Sequence, residues 1–259
     1  MIKFFRKIRY DLMEKNKTGK YFKYAIGEIL LVVIGILIAL QINNWNENSK
    51  RKSKEIKIYY EILSDLELTK EEINKDMQNH ITFLHSNKAL LNHLIEKKPY
   101  SDSLTSHMFN VTGDLQVYPK TSGFDALNSI GLDLLSNDNV RIEITNLHQL
   151  YLKRVVNQGW RETPTNDIGK RMEPFLKRNL TIDTQQKKER FIYYNNDSIG
   201  IKNTKIRDYE TLLNDIDFQR TLNYTIMSRA RKINVHGLSL KRIEHAMESI
   251  KKELNHLEE

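Results

Sequence analysis

Histidine is the residue type in this chain best suited to acid–base or metal chemistry. The eight are His80, His85, His93, His107, His148, His236, His245 and His256. No two stand four apart, the spacing that sets two imidazoles on one helical face around a metal, and no H-E-x-x-H occurs. His80 and His85 are five apart and fall on different helical faces. There is no cysteine, so thiolate nucleophiles, thiolate metal ligands and disulfides are absent. Acidic pairs such as Glu71-Glu72 and Glu258-Glu259 lie in helical charge runs and read as solvated faces. No Gly-rich phosphate loop and no G-x-S-x-G turn is present. The chain is therefore read as non-enzymatic, with no catalytic residue, no cofactor and no metal ligand.

Two stretches interleave aromatic and basic residues as single-strand nucleic-acid binders do. In "KTGKYFKY" a membrane interface explains the pattern better, and in "RFIYYNN" core packing does. The net charge of +8 gives the same answer. Residues 1–23 carry +6, and the 214 residues from 46 onward carry only about +3. A nucleic-acid surface would need its excess on the folded part, so no nucleic-acid partner is expected. The sequons "NVT", "NLT" and "NYT" match by pattern only.

The basic excess borders the most informative segment, "AIGEILLVVIGILIALQINNW", residues 25–45. From Ala25 to Ile42 only Glu28 and Gln41 are polar. The 25 residues from Tyr21 to Trp45 exceed the roughly 20 that cross about 30 Å of hydrocarbon. Tyr21 and Tyr24 at one end and Trp45 at the other are candidate interface anchors. The segment is apolar on all sides, unlike a surface helix. The basic stretch before it is too long for a signal peptide and no A-x-A site follows, so the segment reads as an uncleaved anchor. Eight Lys/Arg precede it and five follow within about 20 residues, which places the N-terminus in the cytoplasm and the C-terminal part outside, in the periplasm of a Gram-negative cell.

Glu28, Gly35 and Ala39 fall within about 40° of one another at 100° per residue. Gly35 and Ala39 form a small-xxx-small pair that lets two helices approach closely. A homo-oligomer formed through the span and the following stalk, with Glu28 at its seam, is one expectation. The other is a monomeric span whose Glu28 reaches the headgroups.

The elements beyond the span are read as mostly helical, since only 10 Gly and 4 Pro interrupt the chain. The expected organisation is a basic leader over 1–23, a transmembrane helix over 24–45, a stalk-like helix over 46–98 stopped at Pro99, and a helical domain over 99–259 packed with the stalk. In the leader, Ile2, Phe4, Phe5, Ile8 and Leu12 recur at roughly helical spacing, which suits a basic amphipathic helix or a plain topology signal.

The stalk carries an imperfect heptad of Ile56, Tyr59, Leu63, Leu66, Ile73, Met77, Ile81, Leu84, Leu91 and Ile95. "SDSLTSHMFNVTG" suggests a short helix and "LQVYPKTSG" a loop. Two helices are expected to join near "SNDN", with Thr121 and Ser122 as caps of the first. "TPTND" and "MEP" are expected to interrupt the region 163–174, and "RFIYYN" to form a short strand or loop. A last helical stretch from Asp208 carries an apolar face from Phe218 to Leu257. Gly237 is the point where that helix is expected to bend. The first and last long helices are expected to pack antiparallel in a bundle.

The segments "MIKFFRKIR", "YAIGEILLVVIGILIALQINNWNE" and "SGFDALNSIGLDLLSNDNVRIEITNLHQLY", with "NDIDFQRTLNY" near the end, resemble an uncharacterised family of single-pass membrane proteins of Bacteroidota. The resemblance covers nearly the whole chain. It implies a single span and a bacterial setting, and brings no activity, substrate, cofactor or site residue.

The expected role is a membrane-anchored interaction, scaffold or sensor-like protein of the bacterial inner membrane, contacting the bilayer and an unknown protein partner. The alternative is a membrane-tethered enzyme or ligand-binding protein with a site assembled between helices of the extracytoplasmic domain.

Overall fold

The computed structural model describes residue 10 and residues 18–114, 116–156, 167–185, 190–194 and 197–259. Among these the chain is mostly helical and divides into two compact units, Met1–Lys57 and Ile58–Glu259. One helix, α1 (Thr18–Ile95), contributes residues to both.

In the first unit the apolar run of α1 is bare. Leu31, Ile34, Leu37 and Ile42 are each more than half exposed, and Trp45 is 72% exposed. Burying one such side chain is worth roughly 1.5–3 kcal/mol, so a run of this length in water is strongly disfavoured. It belongs to the single helix among the described residues long and apolar enough to cross a membrane, whose most apolar 18 residues have a mean hydropathy of 2.6.

In the second unit α1 runs antiparallel to the last helix, α8 (Ile216–Glu258). Three side-chain contacts fix the direction, in opposite order along the two helices: Tyr60 with Glu258, Asp76 with His236 and His80 with Arg229. Between them come α2 (Ser103–Phe109), α3 (Ser122–Ile130), a 3₁₀ turn (Leu132–Leu134) and α4 (Asp138–Asn146). A π-helical segment (Leu147–Leu152), α5 (Lys153–Val156), α6 (Ile168–Asn179) and α7 (Tyr209–Leu213) follow. Two small antiparallel sheets sit between α6 and α7. Strand β1 (Leu180–Ile182) pairs with β4 (Thr204–Ile206), and β2 (Arg190–Tyr194) with β3 (Asp197–Ile201). The "RFIYY" part of "RFIYYN" is thus a strand, and Asn195 lies outside the described residues. An apolar core joins Leu90 and Leu94 of α1 to Leu104, Met108, Ile168, Met172, Phe218 and Leu222.

Local chemistry sets the boundaries. Asn137, Asp167, Asp208 and Asp215 each accept backbone N–H groups at the starts of α4, α6, α7 and α8, relieving donors that a helix start leaves unpaired. Helix α1 ends before Pro99, with Lys97 in the left-handed region at φ 48°. Gly131 follows α3 at φ 122°, where a side chain would be strained.

Three expectations need correcting. Thr121 flanks α3 but its hydroxyl donates to Asp125 Oδ2 at 2.8 Å and caps no backbone group. The cap comes from α1: Asp65 accepts the Gly123 N–H at 2.7 Å and the Ser122 hydroxyl at 2.9 Å. A cap borrowed from a residue 58 positions away leaves no local signal. Secondly, "MEP" interrupts nothing. Pro174 lies inside α6, where buried Met172 and the packing of Phe175 and Leu176 on the apolar core outweigh the lost hydrogen bond. The "TPTN" part of the other expected break lies outside the described residues.

Thirdly, the buried faces of α1 and α8 are not the purely apolar ones. On α1, Met77, Ile81, Leu84 and Leu91 are half-buried and Ile95 is exposed, while Asp65, Thr69, Asp76, His80 and Asn87 are buried. On α8 the buried positions between Leu222 and Leu240 are Thr225, Arg229, Lys232, His236 and Ser239. These keep the 3–4 alternation of a helix core, so the phase continues while the residue types turn polar.

Candidate functional site

The polar stretches of α1 and α8 meet in a buried ionic cluster. Arg229 is fully buried and is the largest such side chain among the described residues. Its guanidinium donates to the carbonyls of Asn110 at 3.2 Å and Val111 at 3.0 Å. It also donates to His80 Nδ1 at 3.2 Å, and from Nε to the amide oxygen of Asn87 at 3.0 Å. Its plane lies over the Phe83 ring, 5.0 Å from the centroid. Gly113 allows this: a Cβ there would stand 2.6 Å from the Phe83 ring. Burial pulls the Arg229 pKa down to about 10, partly offset by Asp114, so the group stays charged at neutral pH.

A guanidinium has only donors, so His80 Nδ1 must accept and Nε2 carries the proton. That proton faces Asp76 Oδ2 at 3.5 Å and Asp114 Oδ1 at 3.8 Å. His236 Nε2 lies 2.7 Å from the same Asp76 oxygen, and the two imidazoles meet edge to face with centroids 6.0 Å apart. Lys232 donates to Asp114, whose other oxygen accepts the Ile168 N–H at 3.2 Å at the start of α6. Burial lowers the Lys232 ammonium against the pull of Asp114. Burial by itself would raise the Asp76 carboxyl. Hydrogen bonds from His236 and His80, with their charge, overcome it and hold the group below the usual carboxylate range.

Two carboxylates, Asp76 and Asp114, therefore face two cations, Arg229 and Lys232, with two imidazoles between. Pairing of opposite charges, with hydrogen bonds to each, is what makes such a cluster tolerable in a low-dielectric interior. The same contacts argue against a metal. A metal on His80 Nε2 would put the ring proton on Nδ1, pointing at the Arg229 donor. No group of three or more His, Asp or Glu suited to a metal occurs among the described residues.

Two other arrangements bear on chemistry. Ser86 Oγ and His107 Nδ1 are 2.7 Å apart, and Asn110 donates to the same hydroxyl at 3.0 Å. Ser86 is buried, and among the described residues no carboxylate orients the other nitrogen of His107. His148, in the π-helical segment, stacks on Phe124 with centroids 4.2 Å apart and planes 2° from parallel. Neither His148 nitrogen has a hydrogen-bond partner among the described residues. Burial lowers its pKa to about 4, against small opposing effects of Asp65 and Asp125. The two rings border a cleft of about 670 Å³ with Asp125, Asn128 and Lys153 at its edge.

The residues singled out in the apolar segment are placed as follows. Glu28, Gly35, Ala39 and Trp45 all lie on α1. Glu28 is half-buried, Ala39 and Trp45 are exposed, and a Cβ at Gly35 would meet nothing within 4 Å. The side chains of Tyr21 and Tyr24 lie outside the described residues, as do residues 1–9 and 11–17 of the basic leader, whose last residues from Thr18 belong to α1. Spacing in sequence does not reveal the ionic cluster, because its histidines come from two helices far apart in the chain. The signal that finds it is phase: Asp76 and His80 continue the buried series Ile62, Leu66, Thr69, Ile73.

Residues 28–188 match the model of the Family of unknown function (DUF6090). The match takes in the apolar segment from Glu28 onward and Asp76, His80 and Asp114, while Arg229, Lys232 and His236 lie beyond it. No curated protein matches, and no solved structure does. Since the match spans more than half of the chain, the chain belongs to the Family of unknown function (DUF6090).

Proposed function

We propose that the protein is a single-pass protein of the bacterial inner membrane, held by residues 25–45, whose second unit is a helical bundle serving as an interaction, scaffold or sensor-like module. One observation carries the reading. Along the single helix α1, the stretch from Ile26 to Ile42 exposes apolar side chains all round, whereas the stretch beyond residue 58 buries a periodic face. Lipid is the environment that accommodates the first stretch. The excess of Lys/Arg before the span supports a cytoplasmic N-terminus and a periplasmic second unit.

A sensor or scaffold role rather than catalysis is supported by where the ionisable groups lie. Those of the cluster are spent on one another in the interior, away from the cleft beside His148. The absence of cysteine makes the topology directly testable. A Lys241→Cys variant in α8 should react with a membrane-impermeant maleimide added from the periplasmic side. Reaction only after the inner membrane is opened would reverse the orientation.

A membrane-tethered enzyme is the second reading, favoured by the Ser86–His107 contact, where a base sits against a hydroxyl. Labelling of Ser86 by a fluorophosphonate would support it, and an unlabelled chain would leave the contact as packing between α1 and α2.

A further inference from the structure

The residues that follow the anchor carry a second, independent pattern. Lys50, Arg51, Lys52 and Lys54 are four cations in five consecutive residues of α1, all exposed. At 100° per residue they spread over about 200° of the helix circumference. Glu47 pairs with Lys50 at 3.1 Å in an exposed pair, and the four cations outnumber Glu47 and the buried Glu55 two to one. Counted along the axis at 1.5 Å per residue, Lys50 lies about 7.5 Å beyond Trp45 and Lys54 about 13.5 Å beyond.

The polar headgroup layer adds roughly 5–8 Å on each side of the hydrocarbon, so the Lys50 backbone lies at its outer edge and that of Lys54 about 6 Å beyond. Direction narrows the gap. Side chains on a helix tilt toward its N-terminus, so these cations lean back toward Trp45 and the anchor. Their long apolar stems let the charge reach the interface.

We propose that Lys50, Arg51, Lys52 and Lys54 form a collar that binds anionic phospholipid headgroups of the leaflet in which Trp45 sits. The inference rests on the span reading and adds the class of lipid. Phosphate oxygens and ammonium or guanidinium donors are complementary in charge and hydrogen bonding. A zwitterionic headgroup presents the same phosphate with a compensating cation and is the weaker partner.

The test uses Trp45 as reporter. The full chain with Trp160→Phe, leaving Trp45 as its single tryptophan, is reconstituted into phosphatidylcholine–phosphatidylglycerol vesicles. In parallel samples one or the other lipid is brominated on its acyl chains, so that it quenches a tryptophan it touches. The expected result is stronger quenching by the brominated anionic lipid, with a relative association constant of about five for one engaged cation. The preference should fall to about one in the K50Q/R51Q/K52Q/K54Q variant and persist in K50R/K52R/K54R. Equal quenching by both lipids in the unaltered chain overturns the proposal, as does a preference that survives the four glutamines. Absence of quenching by either lipid removes the span reading, and the collar with it. Retained quenching by brominated phosphatidylcholine in each variant shows that the variant is still inserted.

Discussion

His236 Nε2 and Asp76 Oδ2 stand 2.7 Å apart across the two longest helices, although 160 positions separate them in the chain. The contact ties α8 to α1 at the level where the core turns from apolar to ionic. Removing one partner from a buried, charge-balanced set leaves the others uncompensated, which typically costs about 3–5 kcal/mol. Asp76→Ala should lower stability by about that much, read as urea unfolding of the full chain in detergent micelles. A change below about 1 kcal/mol would show that the pair carries little.

Arg229 tests whether charge or shape matters more in the same cluster. Its fork reaches two carbonyls, an imidazole and an amide. A lysine keeps the charge but offers one compact ammonium. Arg229→Lys is expected to lose about 3 kcal/mol or more, close to the loss in Arg229→Ala. Near-native stability in the lysine variant would mean that a buried positive charge alone suffices.

His148 sets a pH dependence whose sign follows from its lowered pKa. The unfolded chain takes up a proton near pH 6.5 and the folded chain only near pH 4. The unfolded state therefore binds more protons between those values, and stability falls as pH drops through that window. At pH 5 the cost from this residue is about 2 kcal/mol relative to neutral pH. His148→Phe keeps the stack on Phe124 and removes the titration, so its loss between pH 7 and pH 5 should be smaller by that amount. Asp76 does not contribute in this window. Its depressed pKa supplies stability above an unfolded value of 3.8 that is lost only in stronger acid.

Two glycines should respond in opposite directions. A Cβ on Gly123 would lie 2.7 Å from the backbone nitrogen of Ile62, whereas one on Gly237 would meet nothing within 4 Å. Gly123→Ala must push α3 off α1 and is expected to cost about 1–3 kcal/mol. Gly237→Ala lies inside α8 and should gain about 0.5–1 kcal/mol through the unfolded chain. Thermal unfolding of the two variants side by side measures both, and a destabilised Gly237→Ala would contradict the open space beside it.

What could be read from sequence divides by the range of the interactions. The apolar segment, the long helices and the antiparallel run of the first and last of them follow from composition and local periodicity. Asp65 capping α3 was not legible, because the cap lies on another helix. Nor was the cluster: Asp76, His80, Arg229, Lys232 and His236 sit at core phases, yet their types argue for a surface. Only tertiary pairing makes them compatible with burial. Pro174 inside α6 is the same lesson at one residue, where packing overrode local propensity.

The central claim is that the apolar stretch of α1 lies in lipid, and extraction of cell membranes tests it most directly. After lysis and high-speed sedimentation, the full chain should stay with the membrane pellet through an alkaline carbonate wash and be released only by detergent. Recovery of the folded chain in the soluble fraction without detergent would contradict the account.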